Sequence, residues 1–446
     1  MRVSTGFCAL AVCAGAASAQ VPDSGRPALA PTPQIQTPAS RQAAAQQADS
    51  LHLSRRQAVA EALMRNAQLA IAREQTAQAR ARRVTAIAVP DPTLAAAYDQ
   101  LAGPFTFSGA GSRPVALGLT IPFLDKFRLN NRIGLADIGA NESNYRLQQQ
   151  TIVLQTSADY DSLLLALKHQ GNLREARDLS ADFLKRTQIR YEGGTAAKLD
   201  VIQAQVQLAQ ADNDLIANER DIATAQASLN RTLGRLVTAP IAPVDSLDLP
   251  PSLPDSSTIE QIALQNRPEI TSLRQQQAGA HATTNLAREF WLPDLTFAIS
   301  RDYAQPGAAV FTTGISLPLP AFYWQHARGD IAQSQHFERE LEATYRDARA
   351  QVIQDVRSAY ANASTAMRQA VFIKDELVPA AREAYRVAST SYSLGGSSAL
   401  EVLTARSALL QAESQLADAL AAANTARADL DRALGLPVPT SGARNP

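Results

Sequence analysis

The chain has 446 residues, enough for two or three ordinary domains, yet only 5% of them are aromatic and alanine is abundant. That composition argues against thick globular cores and for closely packed helices. Lys+Arg and Asp+Glu balance at 42 each, so no net field draws in nucleic acid or anionic lipid, and a nucleic-acid partner is excluded.

The N-terminus reads as a secretory signal over residues 1–19. Arg2 supplies the positive start, Phe7 to Ala17 is apolar and small, and Ala17-Ser18-Ala19 fits a cleavage site before Gln20. Both cysteines, Cys8 and Cys13, fall inside it, so the mature protein is expected to be cysteine-free. Bulky Val12 argues against acylation at Cys13. Residues 20–50, rich in Ala, Pro and Gln, read as disordered. Beyond the signal no run of apolar residues is long enough for a membrane-spanning helix.

Helical patterning starts near Leu53 and is expected to run to about Ile87, where Pro90 and Pro92 stop it. A strand hairpin follows at about 93–122. Leu94, Ala96 and Tyr98 alternate with small residues, a Gly-rich turn spans Gly103 to Gly111, and Val115, Leu117, Leu119 and Ile121 alternate again before Pro122. A long helix is predicted over 132–190, roughly 90 Å if unbroken. A glycine turn reverses the chain into a return helix over 196–235.

The same order then recurs. A proline-rich connector, 239–256, leads to a helix from about Thr258 and to Pro293. A second hairpin at about 294–318 carries Leu295, Phe297 and Ile299, a turn at Pro306-Gly307, then Phe311, Thr313, Ile315 and Leu317. A long helix at 328–391 and a return helix at 397–436 complete the copy, with a short tail at 437–446. The motif Tyr191-x-x-Gly194-x-x-x-x-Leu199-Asp200-Val201 returns 201 positions later as Tyr392-x-x-Gly395-x-x-x-x-Leu400-Glu401-Val402. Two repeats, 51–238 and 257–436, are therefore expected. Along the return helices Val201, Leu208, Leu215, Ile222 and Leu229 recur every seven residues, with Ala204, Ala211 and Ala225 three beyond. A large/small seam of this kind brings helices close together in a coiled coil.

No catalytic constellation accompanies this framework, and no enzyme and no cofactor are expected. His52, His169, His281, His326 and His336 form no close ligand pair. Gly193-Gly194 and Gly395-Gly396 follow helices and lack the lysine and serine of a phosphate loop. The residues of interest lie at the glycine turns. Gly194 and Gly395 permit a sharp reversal, Tyr191 and Tyr392 are placed to brace it, and Asp200 and Glu401 begin the return helices. Taken alone, both carboxylates suit a helix N-terminus.

The exported chain, the tandem repeat, the two hairpins and Tyr-x-x-Gly-x-x-x-x-Leu-Asp/Glu-Val at both turns resemble the TolC-like outer-membrane efflux proteins over about residues 51–436. The resemblance implies a mainly α fold with a β-barrel part. Long coiled-coil hairpins and four β-strands per chain would assemble as a homotrimer, with a 12-stranded outer-membrane β-barrel and a periplasmic α-helical tunnel. It also implies a passive exit duct whose periplasmic tip meets an adaptor (membrane fusion) protein bound to an inner-membrane pump. Tyr191, Gly194, Leu199, Asp200, Tyr392, Gly395 and Leu400 would form that tip, and three copies of Glu401 a ring at the pore entrance. The family's second aspartate is Thr404 here, and the basic residue that ties the tyrosine turn shut is Ser397. By the same resemblance neither departure suits a tightly locked resting state. Ser316-Leu-Pro-Leu-Pro-Ala-Phe322 followed by Arg328-Gly-Asp-Ile331 is similar to the subgroup paired with resistance-nodulation-division pumps, which favours small toxic solutes, drugs or metal ions, as cargo. Alternatives are a duct for type I protein secretion and a periplasmic coiled-coil adaptor or scaffold.

Overall fold

In the computed structural model the chain is described over residues 51–96, 114–289, 292, 294–305, 308–316 and 323–436. The signal, segment 20–50, Tyr98, the Gly103–Gly111 turn, Pro293, Pro306-Gly307, Leu317 to Leu319 and the tail lie outside these residues. In order, the elements of the first half are β1 (Leu51–Leu53), α1 (Arg55–Arg65), α2 (Ala67–Ala86), β2 (Thr93–Ala96), β3 (Pro114–Ile121), α3 (Leu124–Glu192) and α4 (Lys198–Leu233). The connector contributes β4 (Ile241–Pro243). The second half has α5 (Ile259–Asn266), α6 (Pro268–Arg288), β5 (Leu295–Gln305), β6 (Ala308–Ser316), α7 (Tyr323–Phe372), α8 (Val378–Ser393) and α9 (Ala399–Ala433). The molecule is mainly helical with few strands.

The first helix of each half is broken, where the sequence suggested one continuous run from Leu53 to Ile87. Asn66 takes an extended conformation, φ −65° and ψ 127°, and its side chain accepts the amide of Gln68, capping α2. Arg267, at φ −63° and ψ 124°, precedes Pro268, whose ring disfavours helical geometry in the residue before it. The second long helix is also not uniform. Ile373–Leu377 widens into a π-helical turn between α7 and α8. Pro379 explains this, because its ring would collide with the carbonyl of residue 375 in a regular α-helix. α3 contains no proline and continues for 69 residues, about 100 Å at 1.5 Å per residue.

β2, β3, β5 and β6 form one antiparallel sheet in that order, so the central pair, β3 with β5, joins the two halves. Register sets Leu119 beside Phe297 and Phe297 beside Ile315, with Leu117 beside Ile299 and Arg301 beside Phe311. That face is large and apolar at most positions, and Val115, Leu117, Phe297, Ile299, Phe311 and Ile315 are exposed. The opposite face carries Gly118, Ala298 and Gly314, and Thr120, Thr296 and Ser316. Thr120 and Thr296 hydrogen-bond through their hydroxyls at 3.0 Å.

α3 packs on α4, α6, α2 and α9, while α9 also packs on α7 and α8. Each half has its own core. Ile152, Tyr160, Leu163, Leu229 and Leu233 centre the first, and Ile270, Val352, Val356, Leu430 and Leu434 the second. On the α4 seam Ala204, Ala211 and Ala225 are buried while Val201, Leu208, Leu215 and Ile222 stay half-buried, and of the large members only Leu229, at the end of the helix, is fully covered. The connector is more than a spacer, since β4 pairs in parallel with β1, Leu51 beside Ile241 and Leu53 beside Pro243. No helix among the described residues is long and apolar enough to cross a membrane.

Candidate functional site: the paired helical turns

Both hairpins reverse by the same backbone device. Gly194 sits at φ +71° and Gly395 at φ +84°, in the left-handed region that glycine enters without a Cβ penalty. The amide of Thr195 donates to the carbonyl of Arg190 at 2.8 Å, and that of Gly396 to Ser391 at 2.8 Å, so the last carbonyls of each helix are satisfied. The return helices are capped differently. The Asp200 carboxylate accepts the Ala197 amide at 3.2 Å, whereas Ser398 Oγ accepts the Glu401 amide at 3.3 Å. Glu401 thus remains exposed with its carboxylate uncommitted to the cap.

The two tyrosines part company. Tyr392 is 5% exposed and packs on Phe183 with ring centroids 5.5 Å apart. The Arg190 guanidinium lies 4.3 Å from its ring centroid and donates to its carbonyl at 2.6 Å. Tyr191 is 44% exposed. Tyr392 therefore braces the tip, locking α8 to the end of α3, and Tyr191 does not brace it within the chain. Within the chain a basic residue does contact the tyrosine turn. It is Arg190 of the first half, while Ser397, where the family's basic residue was expected, donates to the Ala388 carbonyl at 3.2 Å.

Around this brace Asp182, Phe183, Arg186, Tyr385, Tyr392 and Val402 line a cleft of about 230 Å³ between α3 and α8. One helical turn deeper, Arg406 is 4% exposed and donates to the Ala176 carbonyl at 2.7 Å and to Ser180 Oγ. Its other two nitrogens have no partner among the described residues, and burial lowers its pKa from the ordinary guanidinium value. The exposed edge of the tip is apolar: Ile189, Leu199, Leu394 and Leu400 all face solvent. Motif reasoning found Tyr191, Gly194, Leu199, Asp200, Tyr392, Gly395, Leu400 and Glu401, and the structure gathers them at the two turns. It missed Phe183, Arg190 and Arg406, which belong to no repeated spacing. Among the described residues no group of three or more His, Cys, Asp or Glu is arranged to hold a metal ion.

This arrangement has known counterparts. The family model for outer membrane efflux proteins matches residues 58–235 and again 259–436. The cobalt-zinc-cadmium resistance protein CzcC of Cupriavidus metallidurans is 23% identical over 309 residues, 67% of this chain and 73% of CzcC. The outer membrane protein TolC of Escherichia coli is 22% identical over 310 residues, 63% of this chain and 60% of TolC, so the match spans less than two thirds of TolC's own length. The solved outer-membrane channel OprN superposes with a TM-score of 0.74 at 19% identity, covering 85% of this chain and 89% of that one. The matching family is one of outer membrane efflux proteins and not a family of enzymes. With both halves matched in tandem, the chain belongs to the outer membrane efflux protein family.

Proposed function

We propose that the protein is the passive exit duct of a tripartite efflux pump, working as a homotrimer in the outer membrane with a long periplasmic extension. The observation that carries this reading is the two-faced sheet. Its strands run 8, 11 and 9 residues in β3, β5 and β6, near the span of a tilted membrane strand. One face is large and apolar, as lipid requires, and the other is small or hydroxylated, as a water-filled lumen requires. Edges β2 and β6 are unpaired among the described residues. Three copies close them into a 12-stranded barrel, which leaves no backbone group unsatisfied in lipid. The paired helices then form the tunnel wall. The repeats are units 51–238 and 257–436 joined by the connector 239–256, behind a cleaved signal 1–19.

At the tip, exposed Tyr191, Leu199 and Leu400 beside Asp200 offer an apolar rim to a periplasmic adaptor, with Gly194 and Gly395 shaping it. The adaptor links the duct to a resistance-nodulation-division pump, which supplies the energy. Glu401 of three copies forms the entrance ring. The likeness to CzcC, a cobalt-zinc-cadmium resistance protein, supports small toxic solutes as cargo.

Reconstitution tests this. Detergent-extracted protein inserted into a planar bilayer is expected to give cation-selective single-channel current, and Glu401→Lys to lower that selectivity while the trimer survives on native gels. Protein that leaves the membrane in urea without detergent would overturn the duct. A trimer whose selectivity ignores Glu401→Lys would remove only the ring.

A further inference from the structure

Away from both the tip and the sheet, the two halves meet at a cavity of about 390 Å³ between the middle of α3, the end of α9 and the proline connector. Its walls are mixed. Val153, Leu154, Pro250 and Pro251 supply apolar surface, while Arg55, Arg427 and Arg432 bring three guanidinium groups and Asp431 one carboxylate. Behind Arg55 lies Asp161, ion-paired to it and 3% exposed.

The polar groups on these walls are incompletely used. Arg427 Nη1 donates to the Ser252 carbonyl at 2.8 Å, and Arg55 Nη1 donates to Asn424 Oδ1 at 3.3 Å. Yet Arg55 Nε, Arg427 Nε and Asp431 Oδ1 are buried without a hydrogen-bond partner among the described residues. Arg427 Nε and Asp431 Oδ1 are 3.2 Å apart, but misaligned for a hydrogen bond. Buried polar groups left open are costly, so two open donors and one open acceptor on one cavity wall call for an occupant.

The duplication provides an internal control. The positions 201 residues earlier hold Gln226 and Asn230 in place of Arg427 and Asp431. There Asn230 Nδ2 donates to the carbonyls of Val237 and Ala239 at 3.2 and 2.8 Å, closing its own helix end with no charge, while its Oδ1 has no partner among the described residues. A neutral side chain thus serves the equivalent helix end in one half, and the charges in the other are not needed for the turn. We infer that the cavity between α3, α9 and the connector binds a small amphipathic anion, with a phosphate or carboxylate head on Arg55 and Arg427 and a short apolar body against Val153, Leu154, Pro250 and Pro251. A protonated oxygen on a phosphate head would donate to Asp431, using the one open acceptor.

The test uses the full chain in neutral detergent and follows thermal unfolding with added hexyl phosphate, inorganic phosphate or hexanol. Hexyl phosphate is expected to raise the transition temperature saturably, inorganic phosphate to do so only at higher concentration, and hexanol to leave it unchanged. The double variant Arg427→Gln/Asp431→Asn installs the pair that already serves the first half, so it is expected to fold. It should bind hexyl phosphate about tenfold or more weakly, the loss expected for a charge-assisted hydrogen bond. Equal effects of hexyl phosphate and hexanol, no effect of any anion, or unaltered binding by the folded double variant would each overturn the site, leaving the cavity to solvent. Palmitoyl lysophosphatidic acid, run in parallel, separates two sources of the same chemistry. Tighter binding than hexyl phosphate assigns a lipid headgroup, and equal or weaker binding assigns a free soluble anion.

Discussion

The two hairpin turns share a sequence motif and a backbone geometry, but they differ in what the neighbouring helix offers. Tyr392 is received by Phe183, Thr187 and Arg190 on α3. The equivalent positions 201 residues on are Ala384, Ala388 and Ser391. None of these is large enough to cover a ring or able to stack on one as a cation. A repeated motif is thus only half of a contact, and the other half has been edited independently. Duplication gave the molecule two tips of one design, with one tyrosine anchored inside the chain and the other exposed.

Tyrosine truncation separates the tips most sharply. Tyr392→Ala removes a buried ring together with its stacking and cation–π partners, and is expected to cost about 3–5 kcal/mol. Tyr191→Ala should stay within about 1 kcal/mol. Thermal unfolding in detergent, with limited proteolysis at the turns, reads the difference, and equal losses would abolish the asymmetry.

A second contrast lies nearer the sheet. Asp161 is buried beside Arg55 in the first half, where the residue 200 positions on is Ala361. Burial pushes its carboxyl up to about 6 against the Arg55 charge, with Asp245 adding a smaller repulsion. The folded state therefore holds this proton more tightly than the unfolded chain. Stability present below about pH 4 is lost as pH rises towards 6, by at most about 3 kcal/mol at roughly 1.4 kcal/mol per unit. Asp161→Asn should flatten that slope between pH 4 and 6, and a slope unchanged in the variant would assign it to other groups.

The smallest expected effect compares glycines of like φ. A Cβ on Gly194 meets nothing within 4 Å, whereas one on Gly234 lies 2.8 Å from the Arg65 carbonyl oxygen. Both replacements by alanine incur the left-handed penalty of about 1–2 kcal/mol, and Gly234→Ala is expected to exceed Gly194→Ala because backbone must also shift. Matching losses in urea titrations would show that the α4 end tolerates more than its packing suggests.

Much of this was legible because the repeat reports on itself. Two copies of one order made the paired long helices, the glycine turns and the strand hairpins readable, and alternation around Leu117 and Phe297 gave the sheet its two faces. Whatever depends on a single residue was harder. Asn66 breaks a helix by capping the next one, with no proline to announce it, while Pro268 and Pro379 stand at the break at Arg267 and the widened turn at Ile373–Leu377 that the reading of continuous helices passed over. The three-residue strands β1 and β4 are too short for periodicity to detect. The choice between Tyr191 and Tyr392 rests on residues of another helix, which spacing along one segment does not contain.

The short parallel pair of β1 and β4 has a consequence for how such a chain arises. Leu51 and Ile241 lie side by side, about 4.8 Å apart in the hydrogen-bonding direction, and the two segments run the same way. After nearly two hundred residues the polypeptide is back where it came in, pointed along its original heading. An ancestral unit of that kind could be copied head to tail with no long tether, the descendant starting its own circuit from the same doorstep.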